Sequence, residues 1–488
     1  MQPELNHLYE TLLAHARERG DQPAVRGASE TLNYRQLFDE VERRAALLRA
    51  QPPGVFAFAL ENGPQALLWD LAALFAERPC VILPPFFSPA QRAHCLTQSQ
   101  ATLALTGEDL HAELAANGFT PGESFWRRPA VVDAGVPAGT AKITYTSGST
   151  GAPKGVCLSA EAMLRVAREL ELASRPSAPR KYLAVLPLAV LLENLGIYAA
   201  LLAGASLTVL PQAQLGISGA SGVDWKCLLG CIALSGAESL ILVPQLLLGL
   251  VTAIERGLMR VGPLRFVAVG GARVAQSLLD RAAAVGLPVF EGYGLSECAS
   301  VVCLNRPEAN RPGSVGKPLP HVRVSLAEDG EVLVRGSTLL GYLGEPAFAG
   351  QWWPTGDLGH FDDDGYLYLD GRKKNQFITS FGRNVNPEWI EAELTQGGVL
   401  LQAFVHGEGL PRNLALLWPL DPQASDAAIE QAVQQCNAAL PDYARVHAWK
   451  RLPEPFSSAA GTLTANGRPR RAEILRHYQA TLCELANE

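Results

Sequence analysis

Ile143-Thr144-Tyr145-Thr146-Ser147-Gly148-Ser149-Thr150-Gly151-Ala152-Pro153-Lys154-Gly155 is the stretch on which the reading of this chain turns. An apolar run leads into a loop that combines glycines, four hydroxyl side chains and one lysine. Glycine frees backbone N–H groups to point at a ligand, the hydroxyls add donors and the ammonium adds charge, a set that suits a polyphosphate. The spacing is not that of a Walker A loop, because Pro153 stands where the Gly-Lys-Ser/Thr ending requires glycine.

On both sides of this loop, helical and strand periodicities alternate. Residues 35–50 read as a helix, 55–60 as a buried strand, 64–77 as a helix and 81–83 as a strand. The unit recurs at 207–210, 224–234, 239–243 and 265–271. That order predicts α/β layers with buried parallel strands, whose ends are where ligands sit in open sheets. From about 321 the pattern changes to short alternating strands separated by Glu328-Asp329-Gly330 and Asp363-Asp364-Gly365, which read as antiparallel hairpins. After Gly371, the charged run Arg372-Lys373-Lys374-Asn375 leads into a strand, a helix opening at Pro387 and a second α/β run. A boundary near 373 divides the chain into a large domain, 1–372, and a small one, 373–488.

Composition excludes several classes. The 488 residues are 48% hydrophobic and 18% charged, enough for a large core and incompatible with a mainly disordered or coiled-coil design. The net charge of −7 carries no basic run, so no nucleic-acid partner is expected. Forty-five glycines and 34 prolines imply many loops, where catalytic groups concentrate. Nine scattered cysteines, odd in number and without a CxxC pair, read as reduced thiols of a cytoplasmic protein. Cys227 and Cys231 have no neighbouring His or Cys to complete a zinc site. The N-terminus is amphipathic and mixed in charge, unlike a signal peptide. The apolar stretch 183–210 is broken by Pro187, Glu193, Asn194 and Gly204, so no transmembrane segment is expected.

Four further motifs come after the loop in order: Glu291-Gly292-Tyr293-Gly294-Leu295-Ser296-Glu297, Trp353-Pro354-Thr355-Gly356-Asp357, Gly371-Arg372-Lys373-Lys374, and Gly382-Arg383-Asn384-Val385-Asn386-Pro387-Glu388-Trp389-Ile390-Glu391. Together with the loop, they resemble the adenylate-forming superfamily, which contains acyl-coenzyme A synthetases, adenylation domains of peptide synthetases and luciferases. The resemblance runs over roughly residues 30 to 475, and the spelling is nearest to the fatty acyl branch. It implies a large N-terminal domain of layered α/β sheets with a small β-barrel-like subdomain, and a small mobile C-terminal α+β domain.

The resemblance also implies roles. Thr146, Ser147, Gly148, Ser149, Thr150, Gly151 and Lys154 would cradle the phosphates of ATP. Gly270, Gly271 and Ala272 would line the adenine, where small residues let a flat base approach the backbone. Glu291, Gly292, Tyr293 and Gly294 would flank the nucleotide. Ser296 would bond the α-phosphate, and Glu297 would hold Mg²⁺, a hard cation that favours oxygen ligands. Asp357 would accept from the ribose hydroxyls, with Arg372 beside it. Lys374 occupies the hinge position, Gly382 comes shortly after it, and Arg468 stands where the family places a catalytic lysine near the C-terminus. Arginine keeps the charge but not the shape of an ammonium.

These roles imply a ligase of two half-reactions. A carboxylic acid is converted to acyl-AMP with release of pyrophosphate, and a thiol then displaces AMP. The thiol belongs to coenzyme A or to the phosphopantetheine of an acyl carrier protein. Residues 190–204 and 243–250, rich in Leu, Ala and Gly, favour an apolar carboxylate, aliphatic or aryl, and the resemblance to the fatty acyl branch implies a fatty one. Val190 stands where long-chain synthetases usually carry histidine. Arg468 and Val190 together leave open a nucleotide-binding protein with impaired catalysis.

Overall fold

The computed structural model describes residues 2–84, 86–129, 135–146, 153–218, 222–464 and 467–487. Two mixed sheets form the large domain. In the first, the strands Val289–Tyr293, Phe266–Val269, Ser239–Leu242, Lys181–Ala184, Ser206–Val209 and Pro23–Arg26 run parallel side by side, with short antiparallel strands at both edges. In the second, Thr140–Thr146, Cys80–Ile82, Phe56–Ala59 and Leu103–Thr106 form the parallel centre, and Lys154–Ser159 returns antiparallel to Thr140–Thr146. The expected parallel α/β layering is therefore present, with the phosphate-loop sequence placed between two adjacent antiparallel strands.

Helices Tyr34–Arg49, Pro64–Phe75, Ala160–Ser174 and Leu191–Leu202 pack between and over these sheets, sealing a core that runs from Leu5 to Leu339. Their starts reflect local chemistry. Asn33 and Gln36 form a reciprocal capping box, Ser88 and Gln91 form another, and Ser159 caps the helix beginning at Ala160. Leu191–Leu202 is apolar on nearly every face because it is buried on both sides.

The region from 322 to 372, expected to form antiparallel hairpins, is a four-stranded antiparallel sheet of Val322–Leu326, Glu331–Gly336, Trp353–Phe361 and Leu367–Arg372. The small C-terminal domain is α+β. Strands Leu400–His406, Asn413–Pro419 and Val446–Arg451 form its sheet, and the helices Pro387–Gln396, Asp426–Ala439, Arg471–His477 and Gln479–Asn487 cover it. Its apolar clusters are separate from those of the large domain. Inside it, the buried Glu391 accepts from Val405 N–H and from Arg471 at 2.7 Å, which ties the helices Pro387–Gln396 and Arg471–His477 to the sheet. No helix among the described residues is long and apolar enough to cross a membrane.

Candidate active site

Three of the four motifs after the phosphate loop meet at Asp357, two of them through strand register. Asp357 and Arg372 are direct partners across the antiparallel strands Trp353–Phe361 and Leu367–Arg372. Arg372 Nε lies 2.8 Å from Asp357 Oδ1, and Tyr293 Oη donates to Asp357 Oδ2 at 2.6 Å. Burial pushes the Asp357 carboxyl up from its ordinary value, while Arg372 and the Tyr293 hydroxyl hold it down. Burial and the neighbouring carboxylate push the Tyr293 hydroxyl far up, so it remains a donor. Asp357 is nearly buried, whereas Arg372 keeps about a third of its side chain exposed, so the pair opens to the cleft on the arginine side.

Tyr293 ends its strand, and the chain then turns sharply through Gly294. A Cβ at Gly294 would lie 1.6 Å from the Ser300 carbonyl oxygen, so only glycine fits. The turn continues as a short 3-10 helix, Ser296–Cys298, which leaves Ser296 and Glu297 half-buried. Glu297 accepts from Tyr342 Oη at 2.8 Å, and its backbone carbonyl accepts from Leu339 N–H. The same Tyr342 ring lies under Lys154, 5.0 Å from ammonium to centroid, and Lys154 also faces Glu345 at 3.5 Å. Lys154, Tyr342 and Glu297 thus form one continuous chain of contacts, and Thr146 pairs with Lys154 at the end of the antiparallel ladder. Ser147, Gly148, Ser149, Thr150 and Gly151 lie outside the described residues.

Gly270 is buried at the end of the strand Phe266–Val269, and Gly271 and Ala272 are exposed just beyond it. Gly292 lies beside Gly270, whose Cβ would come within 3.0 Å of the Gly292 carbonyl oxygen. Glu291 does not share this exposure. Its buried carboxyl faces Arg273 and Val274 N–H, with Oε2 unpaired, and burial pushes it up to about 8. Lys374 and Gly382 are exposed on the small-domain side of the boundary.

Arg468 comes to the site from the small domain. Its Nη2 donates to the Gly271 carbonyl at 3.4 Å, and it shares an electrostatic environment with Arg372, Glu388, Glu297 and Asp357. Gln396 and Arg273, which lie outside the sequence motifs, join the two domains. Gln396 accepts from Ala275 N–H at 2.7 Å and donates to the Arg273 carbonyl at 2.9 Å. The Arg273 guanidinium lies over Trp389 at 5.8 Å and donates to Leu369 O. Just before the small domain, Gly371 has φ +122°, and a Cβ there would sit 2.3 Å from the Asn386 amide.

Sequence reasoning also missed a second charged cluster. Lys142 Nζ lies 2.6 Å from Asp70 Oδ1 and 3.0 Å from Tyr198 Oη, and it donates to Asn194 Oδ1. Tyr198 and Asn194 both donate to Asp70 Oδ2. All four side chains are essentially inaccessible. A lysine inside the mostly buried strand Thr140–Thr146 and an aspartate inside the apolar helix Pro64–Phe75 are local signals that could have announced it.

The arrangement fits an adenosine nucleotide. Glycines at 270, 292 and 294 leave flat backbone, Asp357 offers acceptors, and cations converge from two domains. One carboxylate, Glu297, fits a cation held chiefly by phosphate oxygens, and no cluster of three metal-ligating side chains occurs among the described residues.

Comparison with known proteins identifies the family and the fold. Over 257 residues the chain is 31% identical to a long-chain-fatty-acid–CoA ligase of Mycobacterium bovis, covering 46% of this chain and 43% of that one, so it matches less than half the length of that relative. It is 29% identical to a 2-succinylbenzoate–CoA ligase of Bacillus licheniformis, covering 79% of this chain and 84% of that one. In fold it resembles the o-succinylbenzoate–coenzyme A synthetase of Bacillus subtilis. That enzyme was solved with its acyl-adenylate intermediate (TM-score 0.76, 22% identity, 95% of this chain and 97% of that one) and with ATP and a magnesium ion (TM-score 0.75, 22% identity, 95% and 98%). The family model described as AMP-binding enzyme matches residues 12–345, and that described as AMP-binding enzyme C-terminal domain matches 374–487. The chain belongs to the AMP-binding enzyme family.

Proposed function

We propose that this protein is an ATP-dependent acid–thiol ligase that activates an organic carboxylic acid as acyl-AMP and transfers the acyl group to coenzyme A. The observation that carries the reading is the convergence of Asp357, Arg372 and Tyr293 with Glu297, and of Arg468 from the other domain, on one cleft. In the first half-reaction a carboxylate oxygen attacks the α-phosphorus of ATP, the bond to the bridging oxygen breaks, and pyrophosphate leaves. In the second, the sulfur of coenzyme A attacks the acyl carbon, the acyl–oxygen bond breaks, AMP leaves and the thiol proton passes to solvent.

Each residue has a physical task. Asp357 would accept from the ribose hydroxyls, with Tyr293 and Arg372 fixing its orientation. Ser296 would donate to the α-phosphate. Lys154, Arg372 and Arg468 would offset charge that accumulates on the phosphorus centre, the electrostatic term that dominates such transfers. Glu297, oriented by Tyr342, would hold Mg²⁺, which when bound neutralises phosphate charge. Arg468 acts as a fork and not a point charge, so its contact with the Gly271 carbonyl supports a role in placing two reacting groups at once.

Mass spectrometry of products formed from ATP, Mg²⁺, coenzyme A and a panel of aliphatic and aryl acids tests the reading. An acyl-coenzyme A product is expected. Acyl-AMP that persists with coenzyme A and is consumed by a phosphopantetheinylated carrier protein would replace the acceptor. The absence of both products across the panel would contradict the proposal.

A further inference from the structure

The helix Pro387–Gln396 of the small domain presents two faces to two different partners. Ile390, Glu391 and Leu394 are buried against the small domain's own sheet, where Ile390 and Leu394 join an apolar cluster. Trp389, Glu393 and Gln396, spaced i, i+4 and i+7, form a second stripe, and all three reach the large domain. Trp389 lies under the Arg273 guanidinium, and Glu393 accepts from Gln276 N–H and from the Ser277 hydroxyl, each at 3.3 Å. Gln396 is held on three sides. Its Oε1 accepts from Ala275 N–H, its Nε2 donates to the Arg273 carbonyl, and its backbone carbonyl accepts from Arg281 at 3.3 Å. Only 4% of Gln396 is exposed, so these bonds are not open to exchange with water.

The receiving helix, Gln276–Ala284, accounts for the residue types in that stripe. It opens at Ala275 with no side-chain cap and has no acidic residue in its first turn. The start of a helix leaves N–H groups that no intrahelical carbonyl can accept, and negative charge is favourable there. The small domain supplies what is missing, since Glu393 takes Gln276 N–H and Gln396 takes Ala275 N–H.

The same small-domain helix also holds the segment that carries Arg468. Glu391 accepts from Arg471 through both oxygens, at 2.7 and 3.0 Å, while Arg471 donates to Val405 O and lies 4.4 Å from the centroid of the Phe404 ring. The turn before Arg471 has little slack. Arg468 N–H donates to the Thr464 hydroxyl at 3.1 Å, Arg468 O accepts from Thr464 N–H at 2.8 Å, and Arg470 N–H donates to Thr462 O at 2.9 Å. One helix therefore connects the start of Gln276–Ala284 in the large domain with the backbone of Arg468.

Resting on the ligase reading above, we propose that the helix Pro387–Gln396 is a bar that sets the position of Arg468, and that Gln396 and Glu393 are positioning residues for the adenylate-forming step, acting through Glu391 and Arg471. Loss of the Gln396 bonds releases the bar from the large domain and lets the Arg468 fork drift from the Gly271 carbonyl. A misplacement of about 1 Å can cost on the order of 100-fold in rate.

The test is a double-mutant cycle on the whole protein with Gln396→Leu, which keeps the bulk and removes both side-chain bonds, and Arg468→Ala. The readouts are acid-dependent exchange of labelled pyrophosphate into ATP, with the best acid of an aliphatic and aryl panel, and thioester formation from the presynthesised acyl-AMP of that acid. Gln396→Leu alone should lower the exchange rate about 10-fold, with KM for ATP changed by less than about twofold and thioester formation retained. In the Arg468→Ala background the same substitution should lower exchange by less than about twofold, because the group through which it acts is gone. Should Gln396→Leu fail to fold, Glu393→Ala carries the same comparison with an expected fall of about threefold. Undiminished exchange, equal losses in both backgrounds, or a parallel loss of thioester formation would overturn the bar while leaving the ligase reading intact. Wild-type protein that exchanges with no acid would overturn both.

Discussion

Two carboxylate–cation pairs in the large domain have similar components and different surroundings. In the sealed cluster, Asp70 and Lys142 are joined by Asn194 and Tyr198, and the partners come from within the cluster. At the cleft, Asp357 and Arg372 are joined by Tyr293, but Arg372 remains about one-third exposed and Arg468 approaches from another domain. The first pair cements two helices to a strand. The second holds charges whose hydrogen bonds can be exchanged with a ligand. A buried ion pair is weak evidence for function, and what distinguishes a site is a polar group able to change partners.

That contrast is most exposed to failure in the sealed cluster. Lys142→Met leaves Asp70 uncompensated in the interior, where breaking a buried pair typically costs about 3–5 kcal/mol. Urea unfolding should register that loss, and the double variant Asp70→Leu/Lys142→Met should recover most of it. A single-variant loss under about 1 kcal/mol would mean that the cluster contributes little to the fold.

The cleft pair should respond in the opposite sense. Asp357→Asn should lower kcat/KM for ATP by about 100-fold, near 2.7 kcal/mol, while shifting unfolding free energy by less than about 1 kcal/mol. A variant that loses stability and keeps ATP turnover would place Asp357 in the same class as Asp70.

How much of this was legible in the sequence divides along the same line. Gly-rich turns and short polar motifs announced the cleft, because backbone approach and phosphate chemistry demand particular residues at fixed spacing. Tyr293, Glu297, Asp357 and Arg372 are therefore recognisable from their motifs alone, and strand register brings Asp357 and Arg372 side by side. Glu291 reads as a nucleotide neighbour from its place in a motif, yet its side chain turns inward to Arg273. Asp70 and Lys142 are 72 residues apart, and Gln396 meets Arg273 across 123. No local pattern encodes such pairs, since they depend on how helices pack on sheets.

A pH-dependent effect sharpens the comparison further. Burial pushes the Glu193 carboxyl up to about 8, against an ordinary value near 4.5. Its protonated form is favoured in the folded state, so its contribution to stability is full below about pH 4.5 and is lost as pH rises towards 8. The slope approaches about 1.4 kcal/mol per pH unit inside that window. Glu193→Gln should remove it, so thermal unfolding at about pH 5, 6.5 and 8 should find the variant gaining on the wild type as pH rises. Parallel pH profiles for the two proteins would show that Glu193 is not the titrating group.

The central claim, that the cleft activates a carboxylic acid on ATP with help from the small domain, is tested most directly by acid-dependent exchange of labelled pyrophosphate into ATP. The account predicts exchange by the wild type with at least one carboxylic acid. It also predicts a fall of about 30-fold in Arg468→Ala, near 2 kcal/mol, with thioester formation from presynthesised acyl-AMP retained. Exchange that is absent with every acid, or equally fast in the Arg468→Ala variant, would contradict it.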